Sequence, residues 1–110
     1  MADNKNIIKY LFPAVKEYIH SPDSEDSNVE RYIGSSIARL NSIAGAELNY
    51  EEDGLPRDLL FDRVRYAHSQ ALEVFERNFE SELLSLHVEV QAPAYAESQE
   101  VPSDEDQDSD

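Results

Sequence analysis

Between Val29 and Ala44 the apolar residues recur at intervals of three and four: Val29, Ile33, Ile37, Leu40 and Ala44, with Tyr32 and Ile43 beside them. That spacing puts them on one face of an α-helix and is incompatible with a strand, whose faces alternate every second residue. Gly45 follows where helices commonly take a left-handed residue, and Ser27 with Glu30 three positions on reads as a capping box at the start. A helix with one apolar stripe must bury it against other elements, and in a chain of 110 residues there is room for one modest core.

The remaining elements follow the same period. A first helix is expected from about Asn4 to His20, with Ile7, Ile8, Leu11, Val15, Tyr18 and Ile19 as its apolar set. Pro13 predicts either a kink or two short helices meeting there, and Ser21-Pro22-Asp23 ends the element. After the segment 46–55, a short strand or a loop closed by Asp53-Gly54, Pro56 opens a helix lined by Leu60, Val64, Ala67, Ala71, Val74 and Phe75. The pattern runs on through Phe79, Leu83 and Leu86, and a break near Asn78 is expected because one helix of that length is unusual. His87-Val88-Glu89-Val90-Gln91 alternates and predicts an extended segment that needs a partner's edge, closed by Pro93. The expected fold is therefore all-α: a small bundle of three to five helices over residues 1–93, a short C-terminal extended segment, and an acidic tail over 94–110.

Charge narrows the function. The net charge is −15, and residues 97–110 hold seven of the 24 acids and no base. A tail of Glu, Asp, Ser, Gln and Pro cannot bury enough apolar surface to offset its chain entropy and is expected to be disordered. So acidic a chain does not wrap DNA, which requires clustered Lys and Arg to displace counterions. Arg57, Arg63, Arg65 and Arg77 are interleaved with Asp58, Asp62, Glu73, Glu76 and Glu80, the pattern of a salt-bridged helix face. Tyr66, Phe75 and Phe79 read as core packing, whereas Phe79 with Leu83, Leu84 and Leu86 gives more apolar surface than a small bundle covers and points toward association.

Chemistry finds no foothold. With no Cys there is no disulfide, thiolate metal site or cysteine nucleophile. His20, His68 and His87 form no zinc-type pair. The acids at 23–26 and 51–53 lack the phase and glycine of a calcium loop, and no nucleophile elbow or phosphate-binding loop is present. Neither a secretory leader nor an apolar run long enough to span a membrane is visible. No cofactor and no enzymatic activity are expected.

The stretch Arg31-Tyr32-Ile33 through Leu40-Asn41-Ser42-Ile43-Ala44-Gly45, then Asp58-Leu59-Leu60-Phe61-Asp62-Arg63-Val64-Arg65-Tyr66, then Ala71 through Leu86, resembles the head-tail connector (adaptor) proteins of tailed bacteriophages. The likeness covers residues 30–87, and its weight lies in the order and spacing of the pieces "LN.IAG", "VRYA" and "F..NF..ELL.L". It implies a helical subunit whose copies form a ring matching the portal's twelvefold symmetry, between the portal protein and a tail-side stopper or completion protein. Such a subunit is made in the host cytoplasm and resides in the virion at the head-tail interface. In that family the C-terminal segment reaches the portal, which makes Phe79, Leu83, Leu84, Leu86, Val88 and Val90 the expected contacts with portal or neighbouring subunit. Glu51, Glu52 and Asp53 become candidates for a lumen that lets DNA pass by repelling its phosphates. Two features depart from the family pattern: the Pro-interrupted first helix and the acidic tail. The alternative reading is an acidic regulatory module, such as a DNA mimic acting on a host protein.

Overall fold

Helix α2, Asp26–Ala44, lies at the centre of the protein and is contacted by three others. The computed structural model describes residues 4–100, with side chains through Pro93, and shows five α-helices and no strand among them. The others are α1 (Lys5–Ile19), α3 (Leu55–His68), α4 (Leu72–Asn78) and α5 (Glu80–Glu100). Residues 101–110 of the acidic tail lie outside the described residues.

The apolar stripe of α2 is spent as its spacing requires: Val29, Ile33, Leu40 and Ala44 are completely buried and Ile37 nearly so. They meet Leu11, Val15 and Ile19 of α1, Leu59, Leu60 and Val64 of α3, Phe75 of α4, and Leu83 and Leu86 of α5 in one continuous core. Gly45 closes α2 at φ 78°, its N–H donating to the Asn41 carbonyl at 2.8 Å. The start differs from the expected capping box. A 3-10 turn over Asp23–Glu25 leads straight into the helix at Asp26, so Ser27 lies within the first turn and no side chain caps the end. Lys16 reaches across from α1 to Asp23, and its Nζ lies 3.0 Å from Asp26 Oδ1. That tether organises the turn in place of a local cap.

α1 runs unbroken through Pro13. The proline is exposed, as is Lys9, whose carbonyl loses its helical partner, so water can satisfy what the ring removes. His20 takes the left-handed position at φ 56°, and the Ser21 N–H returns to the Lys16 carbonyl at 3.2 Å. Of the residues grouped in the core stripe of this helix, Tyr18 is 45% exposed and is not core.

The loop after α2 is irregular, yet one side chain fixes it. Asn41 Oδ1 accepts hydrogen bonds from the Leu48 N–H (3.2 Å) and the Tyr50 hydroxyl (2.7 Å). Tyr50 is buried, which drives its hydroxyl pKa well above the ordinary value. Arg57 then donates to the Tyr50 carbonyl at 2.9 Å, tying the loop to the first turn of α3.

The second half departs from expectation at two points. The helical pattern from Pro56 to Phe75 is cut at Ser69–Ala71, where Gln70 sits at φ 60° and the Ala71 N–H donates to the Tyr66 carbonyl at 2.8 Å. This turn folds α4 back so that Phe75 and Phe79 stack at 4.8 Å and both meet Tyr66 edge-on, at 5.5 and 5.6 Å. The break near Asn78 is present, since α4 ends at that residue and α5 begins at Glu80. The expected extended segment at His87–Gln91 is instead helical, and Val88 and Val90 belong to α5. Val90 follows Leu83 and Leu86 at helical spacing and packs on the core, and that burial overrides the strand preference of two valines.

Candidate functional site

α5 is held by one face only. Leu83 and Leu86 are buried (7% and 1% exposed), and Phe79 and Val90 are partly buried against the core. Beside this stripe, His87 Nδ1 lies 2.9 Å from the Ile43 carbonyl, and Gln91 Nε2 donates to the Ala44 carbonyl at 2.9 Å. The last carbonyls of a helix have no partner within it, so α5 completes the C-terminal end of α2 from the side. A Cβ added at Gly45 would stand 2.9 Å from Gln91 Nε2, which shows how closely the two helices meet there.

The opposite face of α5 is also apolar. Leu84 is 62% exposed and Val88 55%, one turn apart on the same side of the helix. An ordinary surface helix has a polar outer face, so a helix apolar on two sides has surface that folding alone does not use. Of the six residues expected to meet a partner, Leu84 and Val88 are open to one. Leu83 and Leu86 are committed to the core, and Phe79 and Val90 largely so. Gln91 makes the last side-chain hydrogen bond from α5 to the bundle among the described side chains, and the helix continues to Glu100.

Leu84 also lines a cleft of about 570 Å3 between α2, α4 and α5, together with Ile43, Leu83, Arg77 and His87. Its wall is the fork of Arg39 on Glu76, with Nε to Oε2 at 2.6 Å and a second contact at 2.9 Å. The guanidinium holds the Glu76 carboxyl below its ordinary pKa. Glu73 and Arg77, spaced for a pair, form no ion pair among the described residues; Asp62 and Arg65 do, at 3.4 Å. Arg63 turns inward instead, donating to the buried Ser36 hydroxyl at 3.0 Å, and burial pulls its pKa down.

Glu51, Glu52 and Asp53 are all exposed, at the outer end of the loop that Asn41 anchors. Their backbone is ordered by an Asx turn in which the Glu51 N–H donates to Asn49 Oδ1 at 2.9 Å. Among the described residues no group of three His, Asp or Glu side chains could hold a metal ion, and no helix is long and apolar enough to cross a membrane.

A second exposed apolar surface, where Tyr18 of α1 meets Phe61 of α3, was not visible in the sequence. Tyr18 meets Phe61 edge-on at 5.5 Å and donates from its hydroxyl to Asp62 at 2.7 Å; Tyr10, 58% exposed, lies two turns earlier on α1. Arg57 stacks over Phe61 at 4.8 Å. The only available signal is that Tyr18 stands off the line of Leu11, Val15 and Ile19. No protein-family model, curated protein or solved structure matches the chain.

Proposed function

We propose that this protein is an architectural subunit of a tailed bacteriophage, a head-tail connector that forms a ring beneath the portal and joins it to the next tail-side component. The order and spacing of the pieces over residues 30–87 suggest that family, and an all-α bundle is consistent with it. The observation that carries the reading is α5: its outer face keeps Leu84 and Val88 exposed. A helix of this kind is what a subunit needs to engage a larger assembly. The role is structural, without cofactor or catalysis, and the protein's place is in the virion at the head-tail interface. The exposed Glu51, Glu52 and Asp53 then face the lumen, where carboxylates repel phosphate and let DNA slide.

Co-sedimentation with purified portal rings of the same virus tests this. A truncation ending at Gln91 keeps Leu83, Leu86 and Val90, which pack on the core, and His87 and Gln91, which reach the end of α2. The wild type is expected to sediment with the ring and the truncation to remain in the supernatant. A wild type that stays in the supernatant contradicts the connector reading.

A further inference from the structure

The net charge of −15 hides a local reversal. From Asn4 to Lys16 the sequence has three lysines and no acid, and from Arg31 to Ala46 two arginines and no acid. These stretches make up most of α1 and α2, which pack antiparallel: Lys16 reaches Asp26 at the start of α2, and a Cβ added at Gly34 would meet Ile8 at 3.4 Å. Lys5, Lys9, Phe12 and Lys16 follow at spacings of four, three and four, on one line of α1 beside Ile8 and so along its border with α2.

On α2, Arg31, Ser35 and Arg39 are exposed and one turn apart. Arg63 of α3 reaches the same place, its Nη1 3.4 Å from the Ser35 hydroxyl and 3.0 Å from that of Ser36. The meeting of Lys16 with Asp26 and of Ile8 with Gly34 sets Lys9 level with Ile33, between Arg31 and Ser35. Six of the nine basic residues therefore stand on or beside the outer face of α2. Lys16 is held by Asp23 and Asp26, and Arg39 by Glu76. Lys9, Arg31 and Arg63 have no carboxylate partner among the described residues; Arg31 donates to Asn28 and Arg63 to the serine hydroxyls. Glu30, the remaining acid of α2, is exposed and forms no ion pair among the described residues. Three unneutralised cations within two turns, in a chain with 24 acids, are complementary to an acidic segment.

We propose that this face takes the acidic segment 101–110 of a second copy of the chain. Residues 104–110 hold five acids and no base, and no other seven consecutive residues hold as many. Most of these acids do not reach the face on their own copy. His87 meets the Ile43 carbonyl and Gln91 that of Ala44, so α5 leaves by the C-terminal end of α2 and runs nine residues on to Glu100, about 13 Å. Ser35 lies nine residues back from Ala44, about 13 Å the other way. Asp104, Glu105 and Asp106 follow Glu100 by four to six residues and extend at most about 21 Å from it, short of Ser35. Repulsion between the two acidic bodies is screened beyond about 8 Å at physiological salt, whereas the contact itself is not. A segment passed from each copy to the next joins two different surfaces, the heterologous kind of contact that repeats around a ring. This rests on the connector reading and adds a contact within its ring.

The absence of cysteine makes a disulfide test clean. Ala38→Cys, at an exposed position on the outer face of α2, and Ser109→Cys are made alone and together in the full-length chain. The proteins are oxidised mildly at high concentration and, separately, on portal rings. The double variant is expected to give a ladder of covalent oligomers, and a mixture of the two single variants a dimer and nothing larger. Lys9→Glu with Arg31→Glu in the double-cysteine protein should reduce the ladder at least tenfold, as should moving the first cysteine to the exposed Ser85 on α5. An undiminished ladder in either case would mean random collision and overturn the proposal. So would an internal disulfide in place of the ladder, or no ladder in either setting. Portal binding without a ladder keeps the connector and removes this contact; a ladder without portal binding does the reverse.

Discussion

α2 and α5 are the two longest helices, of 19 and 21 residues, and they use their apolar residues in opposite ways. α2 spends its stripe on one continuous core and leaves no large apolar side chain exposed. α5 commits Leu83 and Leu86 to that core and keeps Leu84 and Val88 in water. Folding accounts for the first helix; for the second, the proposed role supplies association as the use of the exposed face. The sharpest way to break this contrast is to truncate one leucine on each. Leu40→Ala empties a fully buried site and should cost about 2–5 kcal/mol, whereas Leu84→Ala should stay within about 0.5 kcal/mol. Urea denaturation reads both. Equal losses would mean that α5 has no free face.

Next in size is Asn41→Ala. It removes the acceptor shared by the Leu48 N–H and the Tyr50 hydroxyl and leaves a buried phenol unpaired, for an expected loss of about 1–3 kcal/mol. Hydrogen exchange should show the loop 46–54 opening ahead of α2. Gly45→Ala follows: a left-handed φ costs an L-residue about 1 kcal/mol, and the new Cβ also crowds Gln91. Combining it with Gln91→Ala should relieve the crowding but not the backbone cost, which a double-mutant cycle separates.

The smallest effect is electrostatic. Arg39 lowers the pKa of Glu76, so the stability this carboxylate contributes is fully present above its ordinary value of 4.5 and is lost as the pH falls through the lowered one. The pair is half-exposed, and Glu76→Gln should cost under about 1 kcal/mol at pH 7. Stability of wild type and variant compared across an acid titration should show that difference closing below the ordinary carboxylate range. A difference that persists there would assign the effect to packing.

What was legible in the sequence follows from how local the cause is. The stripe of α2 and the glycine that ends it depend on residues within a few turns, and the structure has both. The break at Ser69–Ala71 carries no such mark: the left-handed position is taken by Gln70, where a glycine would have announced it, and the turn is stabilised by the Tyr66, Phe75 and Phe79 cluster it creates. Val88 and Val90 read as a strand because their alternation is local, while the carbonyls of Ile43 and Ala44 that receive His87 and Gln91 are more than 40 residues away in sequence. The same distance hid the division of the six expected contacts. Leu83 and Leu84 are neighbours in sequence and only the packing partner decides which is buried. The surface formed by Tyr18, Phe61 and Arg57 draws on two helices and was invisible for that reason.

The claim that the outer face of α5 is reserved for association is tested most directly by Leu84→Glu with Val88→Glu, read on one sample for both unfolding midpoint and assembly. The account predicts a midpoint in urea indistinguishable from wild type together with loss of co-sedimentation with portal rings. A large drop in the midpoint, or undiminished assembly with two carboxylates on that face, would contradict it.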